Sequence, residues 1–133
     1  MIFKFLLLAV FVNAIAARLR LPPGECLGSK ERLESDNRCF QLWMQSDGNL
    51  VLYRKSNNEP LWNSGTSGSR TERACMQYDG NFVTSDNNRN PTWNSGTSNN
   101  EKAFITMQDD GNVVIYARDS NRPIWSTNTV TGC

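Results

Sequence analysis

The chain has 133 residues, a length that suits one domain, and it contains no histidine. Every Ser-His or Cys-His mechanism and every His-ligated metal site therefore falls away. Fourteen basic against thirteen acidic residues, scattered along the chain, leave no electrostatic footprint for nucleic acid or an anionic membrane. From the first residue, Met1 to Phe11 is apolar but for Lys4, and Ala14-Ile15-Ala16 supplies an A-x-A cleavage pattern. Residues 1–16 read as a secretory signal peptide, too short for a membrane span, with the domain at 17–133 and a secreted, extracellular product. Removing Lys4 lowers the 14 basic residues to 13, equal to the 13 acidic ones, so the expected mature charge is zero. Residues 17–20 are expected to fray. Leu21 to Leu27, with Leu33 and Phe40, are expected to add strands to the first sheet.

The rest of the chain repeats itself. Gln45-Ser46-Asp47-Gly48-Asn49-Leu50-Val51-Leu52-Tyr53 returns at Gln77 to Ser85 and at Gln108 to Tyr116, the glutamines standing 32 and then 31 residues apart. A second marker keeps the same phase: Pro60-Leu61-Trp62, Pro91-Thr92-Trp93 and Pro123-Ile124-Trp125. Asp-Gly flanked by alternating apolar residues is a strong hairpin signal. Each copy thus predicts a strand into the turn, a strand out of it, and a third strand carrying Pro-x-Trp, with proline tolerated at a strand start. No helical spacing competes. One small sheet cannot bury its own apolar face, but three around a pseudo-threefold axis can. Leu50 and Leu52 and their counterparts face inward, and Trp62, Trp93 and Trp125 meet near the axis as packing residues rather than sugar platforms.

The opposite face of each strand is polar. Asp-Gly-Asn alone reads as a turn that satisfies its own backbone. It does not account for a glutamine two residues earlier, or for Asn, Val and Tyr following on one face. An amide, a carboxylate, a second amide and a phenol around an apolar patch suit a ligand with adjacent hydroxyls and a C–H face, such as a sugar. Calcium fits poorly, since each copy brings one carboxylate and no distal glutamate. Catalysis by paired acids fits no better: Asp109 and Asp110 are neighbours that point apart, and no second acid recurs near Asp47 or Asp79. The chain is expected to bind, with no cofactor, and not to be an enzyme.

Gln-x-Asp-x-Asn-x-Val-x-Tyr in three tandem copies, with the Trp element between them, resembles the bulb-type (monocot) mannose-binding lectins. Pro23-Gly24-Glu25-x-Leu27 and Leu33-Glu34-Ser35 resemble that family's opening, and the likeness covers residues 21–130. The resemblance implies an all-β fold, a β-prism II of three four-stranded sheets, often dimerised by exchange of C-terminal strands. It also implies metal-independent binding of mannose, or of mannose-rich glycans on glycoproteins and microbial surfaces, in shallow pockets. Asp47 and Asn49 would hold the axial 2-hydroxyl, Gln45 the 3-hydroxyl and Tyr53 the 4-hydroxyl, with Val51 on the ring carbons. Gln108, Asp110, Asn112, Val114 and Tyr116 match at all five positions. Gln77, Asp79, Asn81 and Val83 match too, but Ser85 replaces the tyrosine. Its hydroxyl is too short, a loss of roughly 1–3 kcal/mol, so this second site is degraded. The longer repeats and Gln-x-Trp element of β-trefoil lectins do not fit. A protein-interaction or membrane-active protein on the same fold, with sugar binding lost, is the alternative, and the two intact motifs argue against it.

Four cysteines in a small secreted chain read as two disulfides with three ways to pair. Cys26 and Cys39 both lie in the first repeat, on segments expected to be neighbouring strands, and are paired on that basis. Cys75 and Cys133 are then left to each other, within one chain or between two. That bond would draw the C-terminal tail across the second site. The family's usual bridge does not map, because Gly48 stands where some members have cysteine.

Overall fold

The computed structural model describes residues 18–133; the expected leader lies outside them. Twelve strands and no helix make up the described chain: β1 (Arg20–Leu21), β2 (Cys26–Gly28), β3 (Arg32–Glu34), β4 (Phe40–Met44), β5 (Leu50–Arg54), β6 (Glu59–Asn63), β7 (Arg73–Met76), β8 (Phe82–Ser85), β9 (Pro91–Asn94), β10 (Phe104–Met107), β11 (Val113–Tyr116) and β12 (Pro123–Ser126). They form three four-stranded antiparallel sheets in the orders β3-β4-β5-β6, β2-β7-β8-β9 and β1-β10-β11-β12. Each repeat thus supplies three strands of one sheet, as its two turn signals and Pro-x-Trp strand predict. Each Pro-x-Trp strand joins its neighbour through a register shift, at Leu52/Tyr53, Thr84/Ser85 and Ile115/Tyr116. The shift accommodates the proline, which has no N–H to give to the ladder.

The fourth strands correct the sequence reading. The segment before the first repeat does not stay with the first sheet. It visits all three, leaving β1 on the third, β2 on the second and β3 on the first. Nor do residues 18–20 fray: Leu19 O accepts from Met107 N at 2.8 Å and Arg18 O from Glu34 N at 2.8 Å, while residue 17 of that expectation lies outside the described residues. The physical reason lies in the core. Leu21, Leu27 and Leu33, one per short strand, are fully buried and cap the open apolar edge of each three-stranded unit.

The core is built from inward positions of alternating strands: Leu42, Met44, Leu50 and Leu52, then Ala74, Met76 and Phe82, then Ile105, Met107, Val113 and Ile115. Thr84 breaks the apolar series and is fully buried. Its hydroxyl bonds that of Thr92 at 2.8 Å, and Thr92 bonds Thr71 at 2.6 Å, so no donor is stranded. Trp62, Trp93 and Trp125 meet edge to face with centroids 5.3–5.8 Å apart, as expected at a threefold axis.

The disulfides are Cys26–Cys75 and Cys39–Cys133, so both expected pairings are wrong. Cys26 sits on β2, whose register places it directly opposite Cys75 on β7; it is not on Cys39's sheet at all. The tail goes elsewhere too. After β6 and β9 the chain passes its own Asp-Gly turn, through Gly68 N to Asp47 O at 2.7 Å and Asn100 N to Asp79 O at 3.0 Å, and moves on to the next sheet. After β12 it does the same, through Thr131 N to Asp110 O at 2.8 Å. By threefold symmetry the next sheet is the first, where Cys39 waits beside β4. The tail therefore does not cross the second site.

Candidate functional site

The three Asp-Gly turns share one construction. Gly48, Gly80 and Gly111 adopt φ of 89°, 90° and 88°, a region open to glycine. Asp47, Asp79 and Asp110 each accept the N–H two residues on, from Asn49 and Asn81 at 2.9 Å and from Asn112 at 3.0 Å. The aspartates thus close their own turns. The asparagines hold the returning strand: Asn49 Oδ1 accepts from Ser64 Oγ and Thr66 N, Asn81 Oδ1 from Ser95 Oγ and Thr97 N, and Asn112 Oδ1 from Thr127 Oγ1 and Thr129 N, all at 3.1–3.2 Å.

Beyond the turn the sites diverge. In the first, Gln45 donates to both Asp47 oxygens at 3.2 Å and accepts from the Tyr53 hydroxyl. Val51, on the same face of β5 as Tyr53, is only 3% exposed. The N–H of Asn49, then the Gln45 amide, hold the Asp47 carboxyl below its ordinary value despite slight burial. The third site repeats the clasp, with Gln108 Nε2 donating to the Tyr116 hydroxyl and Val114, 3% exposed, on the same face of β11. In the second, Ser85 is buried, Gln77 is exposed, and among the described residues the Gln77 side chain has no hydrogen-bond partner. Without a phenol there is nothing to fold it inward.

All five expected residues of the first and third sites therefore lie together on outward faces, and four of the second do. Sequence reasoning missed how far the first site extends. A pocket of about 620 Å³ joins Gln45, Asp47 and Tyr53 to Gln41, Trp43, Lys30, Lys55 and Asn58. Gln41 and Trp43 lie opposite Tyr53 and Val51 in register, and alternation back from Gln45 would have found them. Arg32 stacks on Trp43, 4.8 Å from the ring centroid. Behind it Glu34 accepts from Gln41 at 2.6 Å and pairs with Arg32 and Lys55 at 3.5 and 3.7 Å. Burial raises the Glu34 carboxyl, but these partners outweigh it and the net shift is downward.

Three small antiparallel sheets around an axis, each carrying a polar cluster on its outer face, define a lectin-type β-prism. No family model matches the chain. A mannose-specific lectin of Dendrobium findlayanum is 42% identical over 81 residues, 59% of this chain. The match spans 46% of that relative, so the chain accounts for about half its length. Among solved structures, a monomeric monocot mannose-binding lectin from Gastrodia elata is 37% identical with a TM-score of 0.74, covering 85% of this chain and 99% of that one. The mannose-specific agglutinin of snowdrop (Galanthus nivalis) bulbs, complexed with methyl-α-D-mannoside, is 36% identical with a TM-score of 0.70, covering 86% and 99%. The chain belongs to the bulb-type, or monocot, mannose-binding lectin family, and its fold is the β-prism II of that family.

Proposed function

We propose that the chain is a secreted lectin that binds mannose and mannose-rich glycans at its first and third sites without a metal ion. The observation that carries this reading is the double assembly of the full set: Gln45, Asp47, Asn49, Val51 and Tyr53 on one sheet, and Gln108, Asp110, Asn112, Val114 and Tyr116 on another. In both, a glutamine and a tyrosine clasp each other, with a valine on the tyrosine's face of the strand. Adjacent sugar hydroxyls find an amide, a carboxylate and a phenol there, while the ring's C–H face meets the valine. Metal independence rests on the donor set. Calcium takes about six to eight oxygens, whereas each motif brings one carboxylate already engaged by its turn. Secretion rests on the leader-like residues 1–16 and on two disulfides.

Shallow sites bind a monosaccharide weakly, so surface recognition, agglutination or defence would depend on two pockets per chain acting together. Each sheet is completed within one chain, so this bivalency needs no partner. Retention on immobilised mannose in EDTA tests the proposal. Tyr53→Phe and Tyr116→Phe each remove a hydrogen bond worth about 1 kcal/mol, roughly fivefold in affinity at that pocket, without touching the turns. The wild type should be retained and displaced by free mannose, and the double variant should run through. Retention that EDTA abolishes and calcium restores, or a double variant held like wild type, overturns it.

A further inference from the structure

The second site has lost its tyrosine, but a pocket of about 340 Å³ remains there, bounded by Gln77, Ser85, Arg73, Arg89 and the Cys26–Cys75 disulfide. Both arginines stand where the first site has neutral amides. Arg73 lies opposite Ser85 in register, as Gln41 lies opposite Tyr53. Arg89 is two residues before the strand proline, as Asn58 is, and shares its left-handed backbone, φ 63° against 54°.

The acid that balances charge at the first site is missing as well. Glu34 faces Gln41 across β3 and β4, whereas Gly28 faces Arg73 across β2 and β7. Glu31, whose carboxylate lies over Gly28, accepts Gly28 N–H at 3.0 Å and pairs with Arg18 at 3.6 Å. Asp86, in the same turn as Arg89, is engaged by Asn88 and Asn90 at 2.9 Å and lines the neighbouring groove. Neither Arg73 nor Arg89 has an ion-pair partner among the described residues.

We propose that this second pocket binds an acidic saccharide, its carboxylate or sulfate taken by Arg73 and Arg89 in the space the phenol fills at the other sites. Guanidinium forks match planar carboxylates in two-point hydrogen bonds and also accept sulfate oxygens. Gln77, exposed and with no side-chain hydrogen-bond partner among the described residues, is placed for a neighbouring hydroxyl, and Ser85 adds a second short donor. The loss of tyrosine thus exchanges one ligand chemistry for another. The inference is independent of mannose binding at the first and third sites.

The test uses the mature chain with three immobilised probes at physiological salt: sialyllactose for a carboxylate, 6-sulfogalactose for a sulfate, and lactose as the neutral control. One or both acidic probes should be held at least about tenfold more tightly than lactose, the scale of one charge-assisted contact. The pair Arg73→Gln and Arg89→Asn, which restores the residue types of the first site, should erase that preference and leave mannose retention unchanged. Arg89→Asn alone, on an exposed turn, should weaken it several-fold. Arg118→Gln with Arg122→Gln, exposed and outside the pocket, should leave it intact. Equal binding of all three probes by wild type overturns the proposal. So does a preference that survives the Arg73/Arg89 pair, or one lost equally in the Arg118/Arg122 pair. Failure on mannose with the acidic preference intact would sink only the mannose reading.

Discussion

Asn49, Asn81 and Asn112 each tie the returning strand to the turn through Oδ1, so the residue expected to touch sugar also holds the hairpin together. An alanine there would mix a folding loss with a binding loss, which is why the tyrosines make the cleaner probe. Asp47 offers a second handle. The N–H of Asn49 and the amide of Gln45 favour its ionised form and lower the carboxyl from its ordinary 3.8. A depressed folded-state value means that the stabilisation is complete above 3.8 and fades as pH falls through the lower folded value. A carboxyl NMR titration of the folded protein should therefore place the Asp47 midpoint under 3.8. Mannose retention at the first site should stay flat down to about pH 4 and weaken only below it. A midpoint at or above the ordinary value would show that the Gln45–Asp47–Asn49 cluster is not formed in solution.

The hairpin is the unit that recurs, and its glycines are not equivalent. Gly80 has φ of 90° and a Cβ there would lie 2.2 Å from Asn100 O; Gly96 has φ of 69° with nothing within 4 Å. At Gly96, alanine meets only the left-handed penalty of about 1–2 kcal/mol. At Gly80 it must also push backbone aside, adding roughly 1–3 kcal/mol. Urea unfolding of Gly80→Ala and Gly96→Ala should therefore differ by at least about 1 kcal/mol, the first being the less stable. Equal losses would mean that the segment around Asn100 yields freely. Thr66, Thr97 and Thr129 reinforce the same turns, donating to the glycine carbonyls at 2.5–2.6 Å. The Trp-x-x-x-Thr spacing of the third strand thus serves the turn of the first two.

On the scale of the whole molecule, the chain closes a ring. The N-terminal segment crosses the sheets in the order third, second, first, and the repeats follow as first, second, third, after which the tail returns to the first sheet. Arg54 donates to Thr131 at 2.7 Å and Ser56 to Cys133 O at 3.2 Å along that return. Cys39–Cys133 spans 94 residues, and closing so long a loop removes about 4–5 kcal/mol of unfolded-chain entropy in the simplest treatment. Cys39→Ala with Cys133→Ala should lower stability by about 2–5 kcal/mol and release the tail to proteases. Unreduced peptide mapping should link Cys26 to Cys75 and Cys39 to Cys133, with a monomer on non-reducing electrophoresis. A Cys26–Cys39 peptide would refute this topology.

Much of this was legible in the residues themselves. Asp-Gly and Pro-x-Trp recurring in phase fixed three hairpin units, alternation put Leu50 and Leu52 inside and Asn49, Val51 and Tyr53 outside, and Ser85 marked the site that differs. These are local signals, carried by neighbours a few residues apart, so a single strand and its turn suffice to express them. The destinations of Leu21, Leu27 and Leu33 were not readable in this way. A two- or three-residue strand has too little pattern of its own, and which sheet takes it depends on which core has a vacant edge once all three are assembled. The pairing of Glu34 with Gln41 and the meeting of Arg73 and Arg89 beside Ser85 follow from strand register, as does Cys26 opposite Cys75, while Cys39 meets Cys133 through the returning tail. The disulfide partners stand 49 and 94 residues apart and meet only when the sheets have closed around their axis, whereas the hairpin pairs needed the exact turn lengths that a pattern of residue types does not supply.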